Sequence, residues 1–105
     1  MLQPFEVINL TDKTGNPTGG YVRGKGLKID WQDGPLNKVS EKGAFVETVI
    51  AACIERLRFF QTAFDGWFAC RQNALAITKL EEALHWLDAR TKERQTRGVE
   101  GTHQP

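Results

Sequence analysis

The stretch that decides the fold is FACRQNALAITKLEEALHWLDARTKERQTRGVEGTH, residues 68–103. From about residue 70 to residue 97 its apolar residues recur at helical spacing, and Gly98 is a natural stop. A helix of this length would be about 40 Å long. The stripe comprises Leu75, Leu80, Ala83, Leu84 and Leu87, and it is widened beyond one face by Ala74, Ala76, Ile77 and Trp86.

The preceding stretch GAFVETVIAACIERLRFFQ, residues 43–61, predicts a first helix that opens at Gly43 and Ala44. The stretch TAFDGWF, residues 62–68, breaks this pattern through Asp65 and Gly66. Because the break is short, the two helices must run antiparallel. The apolar stripe of the first helix is Val46, Val49, Ile50, Cys53, Ile54, Leu57 and Phe60.

The first third of the chain is strand-like. FEVINL (residues 5–10) suits a pleated surface, residues 12–17 are a dense turn signal, and apolar and polar residues alternate from Leu27 to Gln32. These patterns predict a three-stranded antiparallel meander over residues 5–32. The fold class is therefore α+β: a small β meander followed by a long antiparallel two-helix hairpin. The segments are a β region (1–34), a connector (35–43), the hairpin (44–98) and a tail (99–105), together one structural domain.

The composition describes an ordinary soluble chain. It has 105 residues, 14 Lys+Arg against 13 Asp+Glu and a net charge of +1, so it has no general attraction to nucleic acid or membranes. No apolar run is long enough to span a bilayer, and the first residues do not form a signal peptide, so a cytoplasmic location is expected. Cys53 and Cys70 lack metal-ligand spacing and are read as free thiols, and neither a metal nor a cofactor is predicted.

The second helix carries more apolar surface than one partner helix can cover. A second copy of the chain would bury this surplus most simply, which predicts a homo-oligomer centred on the hairpin. The alternative is that the meander folds back over the second face.

No set of residues suggests catalysis. His85 lies within the second helix, His103 lies in a polar tail, and Ser40 has no nucleophile context. Glu81 and Glu82 are adjacent on a helix and therefore point in different directions. We predict no catalytic residue and a protein that is not an enzyme.

The loop and the start of the second helix form a first candidate binding cluster. Trp67 and Phe68 could stack on a nucleobase, and Arg71 lies beside a helix N-terminus, where free N–H groups favour anions. Asn73 offers both a donor and an acceptor to a base edge. The alternative is that Trp67 and Phe68 only plug the end of the hairpin.

The basic end of the second helix is a second cluster. Arg90, Arg94 and Arg97 fall on one helical face, and guanidinium groups pair well with phosphate. The alternative is that they complement the helix dipole and solubilise the helix end. Thr102 and His103 in the tail are further candidate ligand contacts, unless they are simply solvated.

Residues 68–103, with residues 43–61 before them, resemble the helical-hairpin domain shared by phage anti-Thoeris and anti-CBASS signal sponges. The N-terminal β region is more like the anti-Thoeris type. The resemblance implies a non-enzymatic protein that sequesters cyclic nucleotide immune signals in the cytoplasm of the bacterial host. The ligands would be cyclic ADP-ribose isomers, with cyclic di- or trinucleotides in separate pockets of some members.

The resemblance also implies an assembly, either a dimer or a higher oligomer such as a hexamer, with pockets between protomers. It assigns Phe68 to stacking on adenine and the arginines to phosphates. The full set of expected ligand-binding residues is Phe68, Arg71, Asn73, Arg90, Arg94, Arg97, Thr102 and His103.

Two other functions fit the residues. The wide apolar face over residues 75–87 could dock another protein, which would make the chain an interaction module. The arginine row could bind nucleic acid, although the net charge of +1 makes this the weaker alternative.

Overall fold

A computed structural model of the protein describes residues 1–34 and 42–105. Three strands precede two helices in chain order, which confirms the predicted α+β class. The chain divides into two compact units. The first comprises Met1–Phe45 with Arg97–Pro105, and the second is Val46–Thr96.

The first unit contains a three-stranded antiparallel sheet. Its strands are β1 (Phe5–Thr11), β2 (Pro17–Gly24) and β3 (Leu27–Asp30), in the order β1-β2-β3. The meander expected over residues 5–32 is therefore confirmed. Val7 lies opposite Val22, which lies opposite Ile29, so these side chains share one apolar face of the sheet.

The turn between β1 and β2 is organised by the Asp12 carboxylate. Its Oδ1 accepts hydrogen bonds from the Thr14 hydroxyl at 2.8 Å and from the Thr14 and Asn16 backbone N–H groups at 2.9 and 3.0 Å. These bonds, led by that of the Thr14 hydroxyl, lower the pKa of Asp12 to about 2. Gly15 supplies the positive φ, +92°, that closes the turn.

Most of the predicted connector, residues 35–41, lies outside the described residues. After it, Ala44 forms a parallel bridge with Trp31: its N–H donates to the Asp30 carbonyl at 2.8 Å, and its carbonyl accepts from Gln32 N–H at 3.0 Å. A Cβ on Gly43 would come within 2.5 Å of the Trp31 carbonyl, so only glycine fits there. This pairing keeps Ala44 out of the first helix, which begins at Val46 and not at Gly43 as predicted.

The second unit is the predicted helical hairpin. It consists of α1 (Val46–Gly66) and α2 (Arg71–Thr96), and an ion pair of 3.2 Å joins Arg58 to Glu81 across the two helices. Regular helix ends in α1 at Ala63, where ψ changes to 144°. Gly98, with a φ of +74°, follows the end of α2 as predicted.

The apolar stripes meet along a narrow seam. In α1 Ile54 is buried, whereas Val46, Cys53 and Phe60, spaced seven residues apart, are exposed. In α2 Leu75 is 43% exposed and Trp86 is 72% exposed. The predicted stripe placed Leu75 with Leu80, but five residues turn about 140° around a helix, so the two side chains cannot share a narrow seam. The half-buried seam residues of α2 include Ile77, Leu80, Ala83, Leu84 and Leu87.

None of the helices that the structure describes is long and apolar enough to cross a bilayer.

Candidate ligand-binding site on the helical hairpin

The turn between the two helices has an unusual backbone. Phe64 and Asp65 have φ angles of 51° and 53°, and Gly66 follows with a φ of 80°. Three successive left-handed residues reverse the chain, and Trp67 N–H then donates to the Phe64 carbonyl at 3.0 Å. The left-handed region is unfavourable for residues with a side chain, so other contacts must hold this turn.

The aromatic side chains of the turn point away from the hairpin core. Trp67 is 74% exposed, Phe64 is 75% exposed and Phe68 is 58% exposed. Trp67 and Phe64 form a T-shaped pair, with ring centroids 6.0 Å apart. The interpretation of Trp67 and Phe68 as a plug is therefore wrong for the single chain, because a plug would be buried. The three aromatic side chains of the turn are thus largely exposed to solvent in the single chain.

The first turn of α2 carries the polar part of this cluster. Arg71, which was predicted to lie beside a helix N-terminus, is the first residue of α2 and is exposed. Cys70 lies just before it, and the Cys70 Sγ accepts a hydrogen bond of 3.4 Å from the Asn73 backbone N–H. Within residues 1–34 and 42–105 neither the Arg71 guanidinium nor the Asn73 side-chain amide has a protein partner. Both groups are thus available to bind a phosphate or a base edge.

The basic end of α2 differs from the predicted row of three equal arginines. Arg90 is exposed, and it makes no ion pair with the described part of the chain. Arg94 is only 4% exposed and has a partner within the protein. Arg97 lies beyond the last residue of α2 and donates to the Pro105 carbonyl at 3.0 Å. The helix therefore carries two of these three arginines, and of the three only Arg90 is both exposed and without a partner among the described residues.

The two tail residues are half-buried, not fully solvated. The Thr102 hydroxyl donates to the Val99 carbonyl at 2.5 Å and accepts from Gln104 N–H at 3.1 Å. This hydroxyl therefore closes a local turn within the tail. His103 follows it in the same turn.

The two clusters lie at opposite ends of one helix. Arg71 and Arg90 are nineteen residues apart on α2, which corresponds to about 28 Å. The cleft on the side of the hairpin, of about 280 Å³, contains none of the predicted site residues. It is lined by Ala51, Ile54, Glu55, Arg58, Glu81 and Leu84.

Sequence reasoning missed Arg56, which has no carboxylate partner among the described residues and lies against aromatic rings. The Arg56 guanidinium lies 4.8 Å from the centroid of the Phe60 ring and 5.2 Å from that of Phe59. Arg58, by contrast, is neutralised by Glu55 at 2.8 Å and Glu81 at 3.2 Å. The spacing of Arg56 with phenylalanines three and four residues later was the available signal, because such residues are neighbours on a helix.

Metal binding has no support in the described residues, because none of their His, Cys, Asp and Glu side chains form a group suited to hold an ion.

Comparison with known proteins agrees with the architecture. Residues 24–92 match the family model described as Acb2/Tad1, hairpin domain. The matched segment runs from the end of β2 through most of α2, so it includes Phe68, Arg71, Asn73 and Arg90 and ends before Arg94.

A curated relative is also similar over most of the chain. It is Thoeris anti-defense 1 of Bacillus phage SBSphiJ7, which is 51% identical over 81 residues, or 77% of this chain. The aligned part covers 55% of that relative, so this chain spans about half its length. Since the family model covers more than half of the chain and the relative shares half of its aligned residues, the chain belongs to the Acb2/Tad1 hairpin-domain family.

Proposed function

We propose that this protein is a non-enzymatic sponge for a cyclic nucleotide immune signal, acting in the cytoplasm of a phage-infected bacterium. The name of its relative, Thoeris anti-defense 1, supports a role against this host defence. A cyclic ADP-ribose isomer is the proposed ligand, and its adenine would stack on Phe68. Its phosphates would pair with exposed arginines, because the planar guanidinium donates two parallel hydrogen bonds.

The observation that carries this proposal furthest is the distance between the two clusters. Arg71 and Arg90 lie about 28 Å apart along α2. A ligand of dinucleotide size cannot bridge that distance within one chain. A pocket that uses both clusters must therefore combine the hairpin turn of one copy with the basic end of another.

The exposed apolar residues of the hairpin support such an assembly. Trp86, Phe59 and Leu75 are 72%, 53% and 43% exposed, and Ile54 is the one buried hydrophobic side chain of the described helices. A two-helix unit with so small a core gains stability when a second copy covers these side chains. The proposed state is therefore a homo-oligomer, a dimer or a higher assembly.

Titration calorimetry against a panel of cyclic ADP-ribose isomers and cyclic dinucleotides tests the proposal. We expect saturable, stoichiometric binding of at least one ligand and an oligomer by light scattering. After heat denaturation, chromatography should recover the ligand intact. A hydrolysed product would show turnover and rule out a sponge.

A mixing experiment tests the composite pocket directly. The Arg71→Ala and Arg90→Ala variants should each bind poorly, because each removes one half of every pocket. If the halves come from different copies, unfolding and refolding an equal mixture should restore about a quarter of the pockets. Refolding each variant alone is the matched control. Two poorly binding variants with no recovery in the mixture would contradict a pocket built from two copies, and normal binding by either variant alone would remove that arginine from the site.

Docking of another protein is the second function favoured by a specific observation, the exposure of Phe59 and Trp86. These side chains would then be covered by a host protein and not by a second copy. A monomer that binds none of the panel ligands would favour this function over the sponge.

A further inference from the structure

Gln61, near the end of the regular part of α1, makes two hydrogen bonds to Cys70, on the α2 side of the hairpin turn. Its Nε2 donates to the Cys70 carbonyl at 3.1 Å, and its Oε1 accepts from Cys70 N–H at 3.0 Å. Both ends of one side-chain amide thus bond both backbone groups of one residue. We refer to this pair of hydrogen bonds as the Gln61 clamp.

The clamp acts where the turn most needs support. The preceding segment contains two left-handed residues with side chains, Phe64 and Asp65, which is an unfavourable backbone. Phe64 and Trp67 cannot anchor the turn through burial, because each is about three-quarters exposed. The clamp instead ties Cys70 back to α1 across nine residues.

Cys70 immediately precedes α2 and bonds to its first turn. Its carbonyl accepts from Ala74 N–H at 3.2 Å, and its Sγ accepts from Asn73 N–H at 3.4 Å. The clamp therefore determines where the first turn of α2 begins. Phe68 lies two residues before Cys70, and Arg71 immediately follows it.

We propose that Gln61 is a positioning residue for the ligand site: by clamping Cys70 it holds Phe68, Arg71 and Asn73 in their binding arrangement without itself touching the ligand. This inference rests on the proposed function. Without the clamp, the turn would sample arrangements in which these groups do not converge. The apparent affinity would then fall in proportion to the fraction of competent protein.

The test compares Gln61→Met with the matched control Gln72→Met in the full-length protein. Methionine is close in length to glutamine but can make neither bond of the clamp. Gln72 is exposed on the first turn of α2, and its side chain makes no hydrogen bond to the described residues. We expect Gln61→Met to weaken binding of the cyclic ADP-ribose isomer about tenfold or more, and the control to stay within about twofold.

A second readout separates positioning from general stability. Amide hydrogen exchange by NMR should show faster exchange at Cys70 in Gln61→Met, because its acceptor is lost. Exchange at Leu84, in the middle of α2, should stay as in the wild type. Equal acceleration at both amides would mean a general loss of stability and would overturn the positioning role.

A second variant covers the case in which Gln61→Met does not fold. Gln61→Glu keeps an acceptor for Cys70 N–H but places a second carboxylate oxygen opposite the Cys70 carbonyl, so we expect the clamp to be broken and the affinity to fall about tenfold or more. Wild-type affinity in folded Gln61 variants would overturn the inference alone. Failure of the wild-type protein to bind any cyclic nucleotide would overturn the proposed function and the inference with it.

Discussion

Each end of α2 carries an arginine, but the two arginines differ in solvent exposure and in their partners. Arg71 lies at the N-terminus, exposed and without an ion pair among the described residues, whereas Arg94 lies near the C-terminus, 4% exposed and partnered. A helix N-terminus attracts anions and a C-terminus repels them. The comparison teaches that Arg71 keeps an exposed guanidinium beside a helix end that favours anions, whereas Arg94 at the other end is already covered by the protein.

The largest effect should come from Arg94→Ala. Removing a buried, partnered guanidinium leaves its partner unsatisfied and a void beside it, so we expect a loss of about 2–4 kcal/mol in the free energy of unfolding. Chemical denaturation monitored by circular dichroism measures this loss. The matched control is Arg90→Ala, one turn earlier and exposed, which should stay within about 0.5 kcal/mol of the wild type. Equal stability of the two variants would remove the distinction between them.

The turn end should show the reverse behaviour. Arg71→Ala removes a charge-assisted hydrogen bond to a ligand phosphate and should weaken binding about 10- to 150-fold, equivalent to about 1.5–3 kcal/mol. Its unfolding free energy should not change, because Arg71 is exposed and unpaired within the described chain. Calorimetry and denaturation on the same sample measure both quantities. A stability loss without an affinity loss would contradict the comparison.

Phe68→Ala sharpens the same contrast for the aromatic part of the site. Loss of one stacking ring should weaken adenine binding by about 1–3 kcal/mol, with little change in stability, since Phe68 is 58% exposed. Trp67→Ala is the informative control, because Trp67 touches Phe64 and is even more exposed. If the Trp67 variant alone loses affinity, the stacking role belongs to Trp67.

Much of this architecture could be predicted from the sequence because it depends on local patterns. Alternation over Leu27 to Gln32 predicted β3, and the break at Asp65 and Gly66 predicted the hairpin turn. The stop at Gly98 depends equally on a residue that tolerates positive φ. These features need only near neighbours in the chain.

The environments of individual side chains could not be predicted in this way. Arg90 and Arg94 differ by about 40° around the helix, and periodicity does not resolve which of the two will be covered. The Gln61 clamp joins residues nine apart through a turn whose backbone angles no spacing rule specifies. Such features depend on tertiary geometry, and so does most of the candidate site.

We expect the smallest effect from a substitution of Asp88, an acidic residue near the basic C-terminal end of α2. Asp88 pairs with Lys92 at 2.9 Å, an exposed pair one turn apart, and Arg90 lies between them in the chain with no carboxylate partner in the described part of the protein. Asp88→Asn should cost at most about 0.5 kcal/mol in stability, because exposed pairs on helices contribute little. It should also raise affinity for an anionic ligand by about twofold at low salt, since it removes a negative charge near Arg90.

The gain in affinity should disappear in about 1 M salt, where the screening length is about 3 Å. A titration series in sodium chloride measures this, and an affinity gain that persists in 1 M salt would mean that Asp88 acts by contact and not by its field.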